Sequence, residues 1–387
     1  TNFSADPGSN AVTINGVAAT VTSATSTLLT TVVPLSATTG KIVVTVKGQP
    51  STSANNILIK NLMVTTLAGT GIGGVTDGPA NTASFSSAWG IVSDGNGNYF
   101  IADAGNNKVR KLSSAGVVST VAGTGVWGNN DGPAATATFG AVYGIALDSH
   151  GNIFVTILGR NNIREISTSG IVSTFAGDIN GNTGSTDGIG TAARFNTPLG
   201  IAIDKNDNIF VMDASNLKVR KITPAGVVST LAGSGLTGSA DGAGSAASFN
   251  NAWGLGIDAN GNLYVCDVGN NKIRKVTQAG VVSTFAGSGV RGSADGPALS
   301  ASFSGAIGIV ADQAGNFYVT DEENHRIRMI SSDGQVYTLA GNGDIASKDG
   351  SGNFASFSHP LGITIDASGV MAVVDNGTQK IRKIVVQ

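Results

Sequence analysis

Charge, cysteine and histidine are scarce in this chain. Only 12% of its 387 residues are charged, and 23 Lys and Arg set against 25 Asp and Glu leave a formal net charge of −2. Nucleic-acid affinity comes mainly from clustered Lys and Arg, so this balance argues against a polyanion-binding surface. The single cysteine, Cys266, excludes an internal disulfide and reads as a small buried hydrophobe. No apolar run approaches the roughly 18 residues a membrane-spanning helix needs. No Gly-x-Ser-x-Gly nucleophile elbow occurs. Neither an initiator Met nor a signal peptide opens the chain, which reads as a processed or trimmed piece of a longer protein.

Glycine is abundant: 55 residues, about twice the usual ~7%. With 41% hydrophobic residues, this indicates turn-dense β structure rather than disorder. The stretch from Trp89 to Gly123 recurs, with close copies from Tyr143, Leu199, Trp253, Ile307 and Leu361. The glycine that follows each of these positions is Gly90, Gly144, Gly200, Gly254, Gly308 or Gly362, at spacings of 54, 56, 54, 54 and 54. A fixed period of this size marks stacked or ring-closed units, none able to bury its apolar face alone. Each unit holds four short apolar runs, here a to d. In the first copy they are residues 90–92, 99–102, 108–112 and 117–122, parted by Gly97-Asn98, Gly105-Asn106 and Ala115-Gly116. β-Branched runs between Gly/Asn/Asp clusters read as strands, and four antiparallel strands around an axis make a propeller blade. A flat stack would leave open sheet edges, which a ring removes.

The chain's ends fit a ring. The last copy stops after run c, at Ile384 to Gln387, and the missing run d stands before the first copy as residues 64–69, Val-Thr-Thr-Leu-Ala-Gly. The expectation is six blades, with residues 64–69 completing the last. The pattern G-I-x-x-D-x-x-G-N-x-Y-V-x-D-x-x-N-x-x-I-R-K-I followed by V-S-T-x-A-G resembles the NHL repeat of six-bladed β-propellers, over residues 62–387. The second copy departs, with Thr156 for the usual Asp and Glu165 for Lys, and the sixth with Val370 for the turn Asn.

Residues 1–61 form a separate unit rich in Thr, Ser, Ala and Val. Its strand candidates are residues 11–15, 19–23, 27–33, 41–47 and 56–59, punctuated by Pro34, Gly40 and Gly48-Gln49-Pro50. The run from Val12 to Val21, then Val33-Pro34 and Thr39 to Val44, resembles the IPT/TIG immunoglobulin-like domain. That family's first strand would precede Thr1. The resemblance therefore implies either an absent upstream strand or one donated by a partner. The alternative is that packing on the propeller offsets the loss. The fold class expected is all-β: a six-bladed propeller behind an incomplete immunoglobulin-like β-sandwich.

Residues repeated in every blade serve the blade. Asp77, Asp131, Asp187, Asp241, Asp295 and Asp349 recur in the long d–a connections, where Asp-Gly-Pro-Ala suits the N-cap of a short helical turn. Phe85, Phe139, Phe195, Phe249, Phe303 and Phe357 read as plugs between blades. Arg110 and its equivalents on run c would brace the hairpin by pairing with an Asp ending run b, such as Asp103. The turn Asp94-Gly-Asn96-Gly-Asn98 resembles the start of a calcium loop, but it lacks the following Gly and the bidentate Glu, and a hairpin turn explains it. No metal or cofactor is expected.

Residues that break the pattern are better site candidates. In an up-and-down blade the d–a and b–c loops share one end of the ring, and the longer loops favour that end for binding. Trp89, Tyr143 and Trp253 would rim the channel there, suited to stacking on a sugar or anchoring a peptide, or else to capping the core between blades. Trp127, Arg160, Arg194, Arg291, Glu322, Glu323, His325 and His359 complete the set, with His325 and His359 near enough in sequence to meet. A catalytic zinc site usually takes three protein ligands. Some NHL-like propellers are amidating lyases with histidine-bound metal, but that histidine set is not matched here. The favoured reading is a non-enzymatic binding or scaffold module of a secreted or cell-surface bacterial protein, recognising a protein or glycan. A metal-dependent lyase or hydrolase using the channel, and a subunit that self-associates by strand donation at the N-terminal unit, are the alternatives.

Overall fold

The computed structural model describes residues 3–32, 40–57 and 62–386. Two compact units emerge, Leu62–Val385 and Thr1–Asn61 with Val386–Gln387. The chain is all-β and propeller-like, with seven five-stranded sheets, six of them drawn from residues 62–386. In the first of these six the order is Gly78–Pro79, Val117–Ala122, Lys108–Leu112, Tyr99–Asp103, Ala88–Ser93, that is, a short edge strand and then d, c, b, a. The next four repeat this order. In the last sheet, Leu62–Ala68 lies between Gly350–Ser351 and Lys380–Val386.

Each of these sheets therefore has five strands rather than four, and the d–a connection supplies the fifth. Gly78-Pro79 pairs with Val118 and Val117. Proline suits this position because an edge strand can leave one side without an N–H donor. Asp77 does not cap a helix. Its carboxylate instead accepts from Thr120 N on strand d at 3.0 Å and from the Arg110 guanidinium. Three-residue 3-10 turns do follow in some connections, as at Gly190–Ala192, but the N-cap there is Ile189, with no side-chain bond. The connection is thus stitched to the sheet by its Asp, which leaves no carboxylate for capping.

Inner strands touch through glycine. A Cβ on Gly254 would lie 1.7 Å from the Ile307 carbonyl oxygen, one on Gly90 2.4 Å from that of Tyr143, and one on Gly362 2.4 Å from that of Trp89. Between sheets, the fully buried Phe139 packs with Ala102 and Val109 of the sheet before it and with Ile145 and Val155 of its own.

The repeated arginines are wholly buried. Arg220 Nη1 donates to Asp213 Oδ2 at 2.7 Å and to Arg194 O at 3.0 Å. Its Nη2 donates to Asp187 Oδ1 at 2.7 Å and to Thr186 O at 3.1 Å. The guanidinium also lies 5.0 Å from the Phe195 ring centre. One side chain thereby ties strands b and c to the connection. Burial pushes the Asp213 carboxyl up, against the opposing hydrogen bonds from Asn216, Asn196 N and Arg220. For Asp187, partial burial pushes upward as well. There the bonds from Thr230 N and Arg220 prevail and hold the carboxyl below its usual range.

The second sheet is the exception, and the register corrects the sequence alignment. Ile157 pairs with Asn162 as Asp103 pairs with Lys108, so Ile157 holds the Asp position and Thr156 the one before it. Thr156 hydroxyl accepts from Gly144 N at 2.8 Å and donates to Leu199 O at 2.7 Å. Arg164 Nη1 finds Asn129 Oδ1 at 3.0 Å in place of a carboxylate.

In the N-terminal unit one five-stranded antiparallel sheet is described. Its order is Leu29–Val32, Val17–Ala24, Asn10–Ile14, Gly40–Val46, Gln49–Ile57. Asn15-Gly16 and Lys47-Gly48 form its tight turns, with φ of 45°, 83°, 52° and 78°. Gln49 and Pro50 belong to the last strand rather than to the turn, and Pro50 is tolerated because that strand is an edge. Val33, Pro34, Thr39 and residues 58–61 lie outside the described residues.

Two outcomes follow from the arginine network. Arg220→Met strands the buried Asp213 and should cost about 3–5 kcal/mol. Arg164→Met strands no buried carboxylate and should cost roughly 1–3 kcal/mol. Urea melts of the two variants check the order, and an equal loss would contradict it. Asp187→Asn should cost on the order of 0.5–1 kcal/mol at neutral pH, after discounting for solvent screening. Because the Asp187 carboxyl is depressed in the fold, its contribution is present above about pH 4 and lost as pH falls through the folded value. The gap between variant and parent in urea melts should therefore close in acid.

Candidate functional site

The channel mouth is built by strand a. In the first sheet Ala88 pairs with Asp103 and Ile91 with Ile101, so Trp89 and Gly90 together oppose one residue of strand b. Such a bulge re-aims a side chain, and five further sheets carry a shift at this position. With the glycines holding the inner strands close, the mouth residues gather. Trp89 stacks on Tyr143 with ring centres 4.5 Å apart, and lies 5.2 Å from Trp253. Trp253 Nε1 donates to Asn251 Oδ1 at 2.7 Å, and burial pushes the Tyr143 phenol up. These three half-buried rings, with Leu199 and Ile307, wall an apolar cavity of about 120 Å³. Ile91, Ile145, Ile201 and Leu255 also line it. Asn251, at φ 48°, was not legible as a site residue. The signal for it was an Asn two places before an aromatic in one repeat only.

The other candidates fall into two groups. Trp127 is half-exposed and lies against Gly159, whose lack of a side chain makes room for it. The Arg160 guanidinium sits 5.7 Å from the Trp127 ring centre, and Arg160 Nε is buried without a hydrogen-bond partner. Arg194 replaces the Ser or Thr that elsewhere accepts a backbone N–H, as Ser84 does from Thr76. It pairs with Asp178 at 3.2 Å and donates to Thr191 O and Ala193 O. The second group joins the fifth and sixth of these sheets. Arg291 meets Glu323 at 2.8 Å and Ser304 Oγ at 2.7 Å, and Ser304 also bonds Glu323. His359 Nδ1 bonds Glu322, and the His325 and His359 rings meet edge-on at 4.8 Å. His325 Nδ1 accepts from His359 N at 3.3 Å, and burial, then the neighbouring His359, lower its pKa, which favours the neutral ring.

Among the described residues no three His, Cys, Asp or Glu side chains are placed to hold a metal ion together. The turn at Asp94 is a hairpin bonded to itself: Asp94 Oδ1 accepts from Asn96 N and Asn98 N at 2.8 and 3.1 Å. Cys266 is buried, and burial raises its thiol pKa. No helix among the described residues is long and apolar enough to cross a membrane.

Comparison with known proteins agrees with this geometry. The NHL repeat family pattern matches residues 249–276 and 303–328. The chain is 29% identical over 242 residues to NHL repeat-containing protein 2 of Gallus gallus, a match covering 52% of this chain and 33% of that protein. Among solved structures, a Bacteroides thetaiotaomicron protein of unknown function aligns over 100% of this chain and 93% of its own, with TM-score 0.69 and 21% identity. An auxiliary nutrient binding protein of the same organism aligns over 99% and 92%, with TM-score 0.64 and 20% identity. At such identities the likeness is one of fold. The chain thus carries NHL repeats within a propeller-like all-β fold.

Proposed function

We propose that the protein is a non-enzymatic binding or scaffold module of a secreted or cell-surface bacterial protein, taking a protein or glycan partner on the end that carries the long connections. In this reading residues 62–387 are a six-bladed NHL-type propeller closed by residues 64–69, and residues 1–61 a partial IPT/TIG domain. The carrying observation is the channel mouth, where Trp89, Tyr143 and Trp253 wall an apolar cavity of about 120 Å³. That volume admits one small ring or side chain, so the ligand enters tip-first and the surrounding loops contact the remainder of it. Trp127–Arg160 and the Arg291–His359 group supply polar and cationic contacts around it. The auxiliary nutrient binding protein of similar fold supports a ligand-taking role.

One feature favours a second reading, self-association through the N-terminal unit. Ile42, Val44 and Val46 are only half-buried and line a groove with Phe3 beside the Gln49–Ile57 edge strand. Among the described residues of this unit no second sheet covers that face, and an edge strand beside an apolar groove is suited to receive a strand.

A glycan and peptide array probed with the intact protein tests the first reading. At least one ligand class should bind, and Trp253→Ala should weaken it about tenfold or more, as loss of a buried aromatic anchor does. Undiminished binding by that variant would contradict it. For the second reading, light scattering should show mass rising with concentration, whereas one constant monomer mass would contradict it.

A further inference from the structure

A crown of exposed aliphatic side chains stands at the start of the long connections. Ile72, Val126, Leu236 and Val290 hold one position in four repeats and are 65–74% exposed. In each case a hydroxyl two residues earlier accepts the tip's backbone N–H: Thr70, Thr124, Ser234 and Ser288, at 3.1–3.3 Å. The preceding glycines, Gly71, Gly125, Gly235 and Gly289, share φ of 80–92°. One turn thus presents one aliphatic side chain outward four times. In the two remaining connections Asn180 and Asp344 take the tip, and the adjacent Ile179 and Ile345 are 50% and 68% exposed. One such side chain alone would need no explanation; the recurrence of an exposed aliphatic at or beside the tip of all six connections is what points to a surface that is covered in use.

Cations flank the crown. The first residue of strand c is Lys108, Lys218, Lys272, Arg326 or Lys380 in five of the six sheets. Their side chains lie beside Gly125, Gly235, Gly289, Gly343 and Gly71, next to the tips. Among the described residues none of these five is in an ion pair; of the acids at the same end Asp178, Glu322 and Glu323 pair with Arg194, His359 and Arg291, and Asp344 on its tip bonds Asn342 instead. The a–b turns at the other end each carry an acid, as Asp94, Asp148, Asp204, Asp258, Asp312 and Asp366. Lysines of the other end, Lys111, Lys221, Lys275 and Lys383, pair with the second residue of strand b and so stand among those acids, which leaves the surplus of cations beside the exposed aliphatics.

We propose that this end of the ring docks on an anionic lipid surface, the aliphatic tips entering the headgroup boundary and the flanking lysines meeting lipid phosphates or carboxylates. Tips that hold one position in successive repeats ring one end of the molecule, and a bilayer is a partner that engages all of them at once. A second copy docked crown to crown would set cation against cation. One docked crown to a–b turns would set aliphatic tips on polar turns such as Asn96, Asn206 and Asn260. An amphipathic surface with Lys beside buried aliphatics binds membranes by apolar insertion plus attraction to anionic lipid. The inference does not rest on the cavity at the channel mouth.

Vesicle co-sedimentation with the full chain tests it, using phosphatidylcholine vesicles with and without about one-third phosphatidylserine in roughly 0.1 M salt. The protein should pellet with the anionic vesicles and stay in solution with the neutral ones. The exposed-tip variant Ile72→Ser/Leu236→Ser/Val290→Ser should lower partitioning at least about tenfold. Lys218→Gln and Lys272→Gln should each lower it about fivefold. Lys205→Gln, at the opposite end, should leave it unchanged. Failure to pellet with anionic vesicles would overturn the proposal and leave the crown to an acidic protein partner. Pelleting that the tip variant does not reduce would overturn it equally.

Discussion

The close approach of neighbouring inner strands is the constraint on which the rest depends. At each of six positions the chain needs a residue without a side chain, because the next strand's carbonyl oxygen occupies the space a Cβ would fill. The succession runs from Gly90 against Tyr143 round to Gly362 against Trp89, so the last contact returns to the first strand. With the strands so near, the residue before each glycine has nowhere to go but the axis. Trp89, Tyr143 and Trp253 meet there as a consequence of backbone packing, and the cavity they wall results from it.

A second layer of order comes from the buried arginines. Each binds its own sheet and the connection leading into it, with the phenylalanine of that connection against the guanidinium face. Such a network costs desolvation, which its ion pairs and hydrogen bonds offset only in part, since Nε of Arg164, Arg220, Arg274, Arg328 and Arg382 is buried with no hydrogen-bond partner among the described residues. Its effect is to hold the long connection at two points, Thr186–Asp187 and the Arg194 carbonyl in the third of these sheets, while leaving the tip free to vary. The variable residues Trp127 and Arg291 sit beside those tips, next to the recurring crown aliphatics Val126 and Val290. Rigid repeats thus carry unlike side chains at one end of the ring.

Much of this was legible because repetition removes ambiguity. The strand positions, the Asp–Arg brace and the buried Phe follow from what recurs, and the meeting of His325 with His359 from what does not. Besides Asn251, further features were not legible. Asp-Gly-Pro reads locally as a helix start, yet its Asp is taken by strand d and the buried Arg, and only the tertiary fold supplies those partners. Thr156 stands one place from the position the repeat pattern assigns it, since an apolar Ile157 in the Asp position disguises the alignment. The aliphatic crown is hidden because isolated Ile, Val and Leu in Gly-rich loops look unremarkable singly. Net charge likewise conceals the five cations set beside the tips.

Closure of the ring is the central claim, and native-state hydrogen exchange on the whole chain tests it most directly. Amides of residues 64–68 enter the last sheet far from their sequence neighbours, beside strand 380–386. If closure holds the ring together, they should exchange in the same slow class as Ile381 to Ile384, near the global unfolding limit. Exchange of residues 64–68 at loop-like rates, while 381–384 stay protected, would contradict the account.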